Sequence, residues 1–423
     1  MTNDPDIHAR QTSARWAYHI MTKPIGPICN LTCRYCYYLE KEAFYPRTHS
    51  FRMPDDVLQT YVRDYIAGQP GPEVQFAWQG GEPLLLGIDF FHKAISLQRQ
   101  FAGEKTITNV IQTNGTLLDD AWCAFFAEHG FLVGISLDGP QALHDAYRRD
   151  NRGQPTFNRV MKGVDYLQKH NVAFNTLTVV HRKNSLRPLE VYNFLKTTGT
   201  TVFQFIPLVE RLPPPDFLPD DRNRPVWRPP PEPDATQTAT RVSEQSVRPI
   251  DYGDFLIAIF DAWVRRDVGT YFLPIVDVAL GNHMSLGSGL CIFAETCGQA
   301  LALEHNGDLY SCDHYVYPEY RLGNIMTQPL GDMATSPRQQ QFGLNKRDTL
   351  PRYCRECEVR HLCNGECPKH RFIRTPQGDP GLNYLCAGYK KFFRHITPTL
   401  ESMADCLRQG RSPAEVMQPR DDS

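Results

Sequence analysis

Cys29-Asn30-Leu31-Thr32-Cys33-Arg34-Tyr35-Cys36 places three thiols within eight residues, separated by three positions and then by two. A 4Fe-4S cube takes a thiolate on each iron, so three cysteines hold three irons and leave the fourth open to a small ligand. Chemistry can start at that open iron. Zinc is the competing occupant of clustered thiols, but it prefers paired CxxC ligands and a fourth protein residue, a poorer match to this spacing.

A chain of 423 residues is too long for one ordinary domain and suggests two, each with apolar content for a core. Lys plus Arg is 45 and Asp plus Glu is 47, a balance that argues against nucleic acid or an anionic membrane as the main partner. The N-terminal stretch Met1 to Trp16 is polar and has no apolar core of a leader, and no uncharged run is long enough to cross a bilayer. The expectation is a cytoplasmic protein, in which thiols stay reduced and clustered cysteines bind metal.

From Trp16 to Val209 short apolar runs alternate with amphipathic stretches, the rhythm of βα units in a parallel sheet. Six strands are expected near 17–25, 73–79, 107–112, 131–137, 172–180 and 201–207, with helices over 89–101, 119–129, 157–170 and 187–196. The odd segments follow the strands. The cysteine triplet comes after the first, Gln79-Gly80-Gly81-Glu82-Pro83 after the second, Gln112-Thr113-Asn114-Gly115 after the third and Ser136-Leu137-Asp138-Gly139-Pro140 after the fourth. In a (β/α) barrel the active site lies on loops at the carboxyl ends of the strands, so these turns converge on one rim. Six units are too few to close an eight-stranded barrel, and the α/β fold expected is an open, partial (β/α)6 barrel over 17–209, after a polar tail over 1–16. Residues 210–249, with Pro213-Pro214-Pro215 and Pro229-Pro230-Pro231, read as a proline-rich insertion or linker.

A helix resumes at 252–266 within a connecting helical segment over 250–284, and a closing helix is expected over 387–407 in a terminal unit of 391–423. Between them, over 285–390, stand Cys291, Cys297, Cys312, Cys354, Cys357, Cys363, Cys367 and Cys386. The stretch Leu301 to Cys312 reads as a hairpin turning at Asn306-Gly307 that carries Cys312 back toward Cys297. Eight thiolates saturate two further cubes; two four-cysteine zinc sites fit the count equally. The company decides for iron, because an open redox-type cluster benefits from an electron relay and zinc has no redox chemistry. Cys123 and Cys406 are left over and read as packing residues.

The CxxxCxxC triplet with Tyr35 before its last cysteine, the Gly80-Gly81-Glu82-Pro83 turn and the Cys291-to-Cys386 spacing together resemble the SPASM-type enzymes of the radical S-adenosylmethionine (SAM) superfamily. Within that group, Cys29 to Tyr38, Phe76 to Pro83 and Ser311-Cys312-Asp313-His314-Tyr315-Val316 most resemble the anaerobic sulfatase-maturating enzymes. The resemblance implies that a cysteine or serine of a sulfatase precursor, within a CxPxR or SxPxR motif, is oxidised to formylglycine. It implies three 4Fe-4S clusters and SAM as cofactors, and an electron donor such as flavodoxin or ferredoxin. One auxiliary cluster would be held by Cys291, Cys297, Cys312 and Cys367, the other by Cys354, Cys357, Cys363 and Cys386. SAM contacts are implied at Tyr35, Gly81, Ser136, Arg148 and Val209, the substrate side at Gln79, and the catalytic base at Asp313.

Physical chemistry adds conditions to these implied roles. Bare glycine backbone at Gly80 and Gly81 can approach a ligand closely, and a guanidinium fork at Arg148 suits a carboxylate or ribose. A carboxylate of pKa about 3.9 is a weak base toward a thiol of about 8.5. Asp313 must therefore act on a substrate already acidified by radical formation, or be raised by an anionic cluster beside it. Two other readings fit parts of the pattern: a SPASM maturase that crosslinks a ribosomal peptide, and a non-catalytic iron-sulfur or zinc scaffold.

Overall fold

The computed structural model describes residues 16–46, 49–212 and 242–417. Nearly all of the polar tail and the proline-rich runs of the 210–249 segment lie outside the described residues. The six expected strands are present as β1 (His19–Lys23), β2 (Glu73–Trp78), β3 (Thr106–Thr113), β4 (Leu132–Ser136), β5 (Phe174–Val180) and β6 (Phe203–Pro207), paired in parallel in chain order. In β5, Phe174, Thr176, Thr178 and Val180 are buried and the residues between them are less so, the two-residue period of a strand with unequal faces.

The helices between strands follow their apolar spacing. Phe157–Lys169 buries Val160, Gly163, Val164 and Leu167, one stripe of a 3.6-residue period. Ile88–Phe101 buries Phe90, Phe91, Ala94 and Ile95 against the barrel. A helix at Asp55–Gly68 fills the interval between the first two strands; helices were expected between strands, but no range was named there. Its signals are nonetheless ordinary: Pro54 precedes it, Asp55 and Asp56 occupy the first turn, and Val57, Leu58, Tyr61, Val62, Tyr65 and Ile66 face inward.

The cysteine-rich segment does not stand apart from this sheet. On its other edge β1 pairs in parallel with β7 (Ala300–Glu304), in register Lys23 to Glu304, and β8 (Asp308–Tyr310) and β9 (Arg321–Asn324) follow antiparallel. The result is one nine-stranded sheet in the order β6-β5-β4-β3-β2-β1-β7-β8-β9. The hairpin turns at Gly307, whose φ of +86° is a left-handed conformation that glycine adopts without strain. Gln339 ties its two ends, donating to Gly298 O at 2.7 Å and Ser311 O at 2.9 Å.

Both flanks of the proline-rich segment are fastened together. Val247 N donates to Leu208 O at 2.9 Å and Ser243 N to Glu210 O at 2.8 Å. The helix Pro249–Arg266 then lies against the closing helix Cys386–Arg408, with the Tyr252 and Tyr389 rings 5.5 Å apart. Among the described residues no helix is long and apolar enough to cross a membrane.

Candidate active site

The triplet loop is held from both sides by backbone. Thr32 N donates to Arg149 O at 2.8 Å and Arg34 N to Tyr147 O at 3.1 Å, while Gly81 N donates to Gly26 O at 2.7 Å and Glu82 N to Ile28 O at 2.9 Å. A Cβ on Gly81 would sit 1.8 Å from Ile28 O. The close approach that requires glycine here is therefore to the cysteine loop itself, whereas the sequence reading assigned it to a ligand. Glu82 is buried and clamps the next turn: it accepts from Leu84 N at 3.1 Å, Thr113 Oγ1 at 2.8 Å and Asn114 N at 2.8 Å. Burial pushes its carboxyl up to about 7, against those hydrogen bonds. Asn114 Nδ2 in turn donates to Asn30 Oδ1 at 2.8 Å, so the loops after β1, β2 and β3 form one unit.

Burial pushes the Cys29 and Cys33 thiols up to about 12, and each of them is also raised by the charge of Cys36. Three mutually close thiols that hold their protons alone give them up to a multivalent metal centre, and the donor set fits the open cluster. Beside it, Arg148 Nε bonds Asp138 Oδ2 at 3.0 Å and lies 5.4 Å from the Tyr35 ring, whose hydroxyl donates to the same carboxylate. Arg148 also hydrogen-bonds the Cys33 thiol. Ser136, at the end of β4, accepts from Gln112 Nε2 at 3.0 Å, and Val209 is buried just beyond β6.

Across the rim, Lys23 at the end of β1 forms a buried ion pair with Asp313 and donates to Gln79 Oε1 at 3.1 Å. Tyr37 OH donates to Asp313 Oδ2 at 2.5 Å, and Tyr38 OH to Glu304. Burial alone would raise the Asp313 carboxyl, but the Lys23 and His314 charges and the hydrogen bond from Tyr37 hold it down at about 2. Lys23 and Tyr37 thus act on Asp313 against the raised carboxyl that was one of the two conditions set by the sequence. The sequence reading passed over Lys23, Tyr37 and Glu304. The one available signal was a lysine at the end of the apolar β1, where a charged side chain needs a partner.

The structure sorts the eight later cysteines into two fours. Cys312 lies within electrostatic reach of Cys367 and Cys291, and Cys367 of Cys291 and Cys297. Cys386 feels Cys354 and Cys357, and Cys363 feels Cys386 and Cys354. Among the described residues no three His, Cys, Asp or Glu side chains converge tightly enough for a single metal ion. Cys123 and Cys406 are buried away from both sets.

Comparison with known proteins identifies the family. The family model of the radical SAM superfamily matches residues 24–195, and that of the SPASM iron-sulfur cluster-binding domain matches 291–358. The chain is 45% identical to the serine-type anaerobic sulfatase-maturating enzyme of Bacteroides thetaiotaomicron over 94% of both chains. It is 30% identical to the cysteine-type enzyme of Clostridium perfringens over 92% of this chain and 99% of that one. A solved structure of native anSMEcpe with bound AdoMet and the Cp18Cys peptide aligns with a TM-score of 0.77 at 30% identity, over 92% of this chain and 99% of the other. The chain therefore belongs to the anaerobic sulfatase-maturating enzymes, radical SAM oxidoreductases that carry iron-sulfur clusters and convert a cysteine or serine to formylglycine.

Proposed function

We propose that Cys29, Cys33 and Cys36 hold the open cluster, that Tyr35, Gly81, Ser136, Arg148 and Val209 surround SAM, and that Gln79 lines the substrate side. Asp313 takes the proton from the hydroxyl or thiol of the target residue. One observation carries this reading: Lys23 touches both Gln79 and Asp313, so the barrel rim and the residue following Cys312 are joined through one side chain.

When bound, the open cluster with SAM supplies the radical that removes a hydrogen atom from the target carbon, and the auxiliary clusters held by the two four-cysteine sets supply acceptors for the released electron. The chain's own residues set the proton chemistry. Asp313 is ionised near neutral pH because Lys23 and Tyr37 favour its charged form. It is accordingly a weak base toward an intact alcohol or thiol. It receives the proton at a carboxylate oxygen once the neighbouring carbon has lost hydrogen and the group has become acidic. Lys23 and Tyr37 hold the carboxylate in place in the meantime.

The partner is a sulfatase-derived peptide carrying a CxPxR or SxPxR motif. A serine target is favoured by the 45% identity to the serine-type enzyme against 30% to the cysteine-type one. Flavodoxin or ferredoxin would feed the open cluster in the cytoplasm, and the working units are the barrel over 17–209, the segment 250–284 and the cluster unit 285–390. The test is anaerobic incubation of the reconstituted protein with SAM, dithionite and paired peptides differing only in Ser or Cys at the target. Mass spectrometry should show formylglycine from both, faster from serine. SAM cleavage without aldehyde in either peptide would sink the proposal.

A further inference from the structure

We infer that Lys346 and Arg371 are built-in counter-charges for the two auxiliary clusters, raising the potentials at which both accept an electron. The inference rests on the assignment of the eight cysteines to two clusters. Lys346, on the helix Pro337–Asp348, is fully buried and donates to Cys291 O at 2.6 Å, Ile292 O at 2.8 Å and Ala294 O. An ammonium has three donors and no acceptor; all three go to carbonyls and none to a carboxylate.

Arg371 is 5% exposed and donates to Lys346 O at 2.5 Å, Gly365 O at 2.9 Å, Asn364 O at 2.9 Å and Glu366 O at 3.0 Å. Glu366, a carboxylate within electrostatic reach of Arg371, has its Oε2 engaged by His370 at 2.9 Å and Asn383 at 2.6 Å. Two adjacent buried cations thus share one neighbouring carboxylate and are otherwise met by carbonyl dipoles, an arrangement that is costly unless another negative charge is present.

The two thiol sets can supply that charge. Lys346 lies within electrostatic reach of Cys291, Cys297 and Cys367, and Arg371 of Cys354, Cys363 and Cys367. Arg371 also grips the turn between Cys363 and Cys367, which gives one thiol to each set. A cube with four thiolates is anionic and gains a further negative charge on reduction, so fixed positive charge at close range in a low-dielectric interior favours the reduced form. Lys346 acts mainly on the Cys291 set; Arg371 acts on both.

A redox titration monitored by electron paramagnetic resonance tests this. The parent carries Cys29→Ala, Cys33→Ala and Cys36→Ala, so that only auxiliary clusters remain after anaerobic reconstitution. Lys346→Met should make the midpoint of one cluster more negative, Arg371→Gln should move both, and Lys346→Arg should titrate with the parent. Unchanged midpoints in the neutral variants at full iron content overturn the inference, as does a Lys346→Arg midpoint as low as that of Lys346→Met. If the neutral variants lose iron, Lys346→Arg decides: retained iron with the parental midpoint upholds the role of charge, and lost iron overturns it. A parent without iron and sulfide for two clusters would instead sink the cysteine assignment, before any titration is run.

Discussion

Lys23 and Asp313 form an ion pair whose side chains are only 2% and 10% exposed, joining the end of the first barrel strand to the residue after the cluster-set cysteine Cys312. The pair fixes the ionised form of the carboxylate and the direction in which it faces. Replacing Asp313 by Asn removes the proton acceptor and keeps the shape. Formylglycine production should fall by about two orders of magnitude or more, the usual range for loss of a general base, with 5′-deoxyadenosine still formed from SAM. Equal loss of both products, measured by chromatography of one reaction, would remove Asp313 from the proton step.

Removing Lys23 instead leaves a buried carboxylate with Tyr37 as its remaining donor. Breaking one partner of a buried pair costs about 3–5 kcal/mol, so Lys23→Met should lower the thermal midpoint of the reconstituted protein markedly. The double variant Lys23→Met, Asp313→Asn should recover much of that loss. Additive losses in the cycle would show that the two side chains are not coupled.

Gly81→Ala should be more damaging than its size implies. The added methyl meets Ile28 O and other Ile28 backbone atoms, which cannot move without displacing the Cys29 loop. The expected outcome is loss of the iron bound by Cys29, Cys33 and Cys36, with the auxiliary iron retained. Gly87→Ala serves for comparison, because no heavy atom lies within 4 Å of its added Cβ, although its φ of +80° strains any side chain. Iron analysis of both variants checks the contrast.

His144 provides a pH dependence. It is buried, its Nε2 meets Thr156 Oγ1 at 3.1 Å, and burial holds its imidazole down at about 4 from the ordinary 6.5, despite the Asp138 charge. Between those values the unfolded chain binds more protons than the folded one, so stability is full above about 6.5 and is lost as pH falls toward 4. The lost contribution is about 3 kcal/mol. Denaturant unfolding from pH 7 to 4.5 should show this acid slope, flattened in His144→Gln; identical slopes would assign the acid sensitivity elsewhere.

Much of this architecture is legible from local pattern. The six parallel strands follow from apolar runs of strand length, the helices from 3.6-residue stripes, and the hairpin from Asn306-Gly307, because each depends on neighbours within a few residues. Cysteine number and spacing likewise announce an open three-thiol site and eight further ligands. Other features arise only when distant segments meet. The pairing of β1 with β7 brings Lys23 beside Glu304, the fold sets Lys23 on Asp313, and Gly81 owes its necessity to the Ile28 carbonyl. Lys346 and Arg371 carry no mark in the sequence, and only the structure buries them beside the two sets of thiols. A residue's type states which interactions it can make, but the sign and strength of a buried charge's interactions depend on partners chosen by long-range packing. Cysteine number and spacing, with the family resemblance they carry, therefore pointed to the cofactor chemistry of this chain, and the tertiary structure decided the electrostatics under which that chemistry runs.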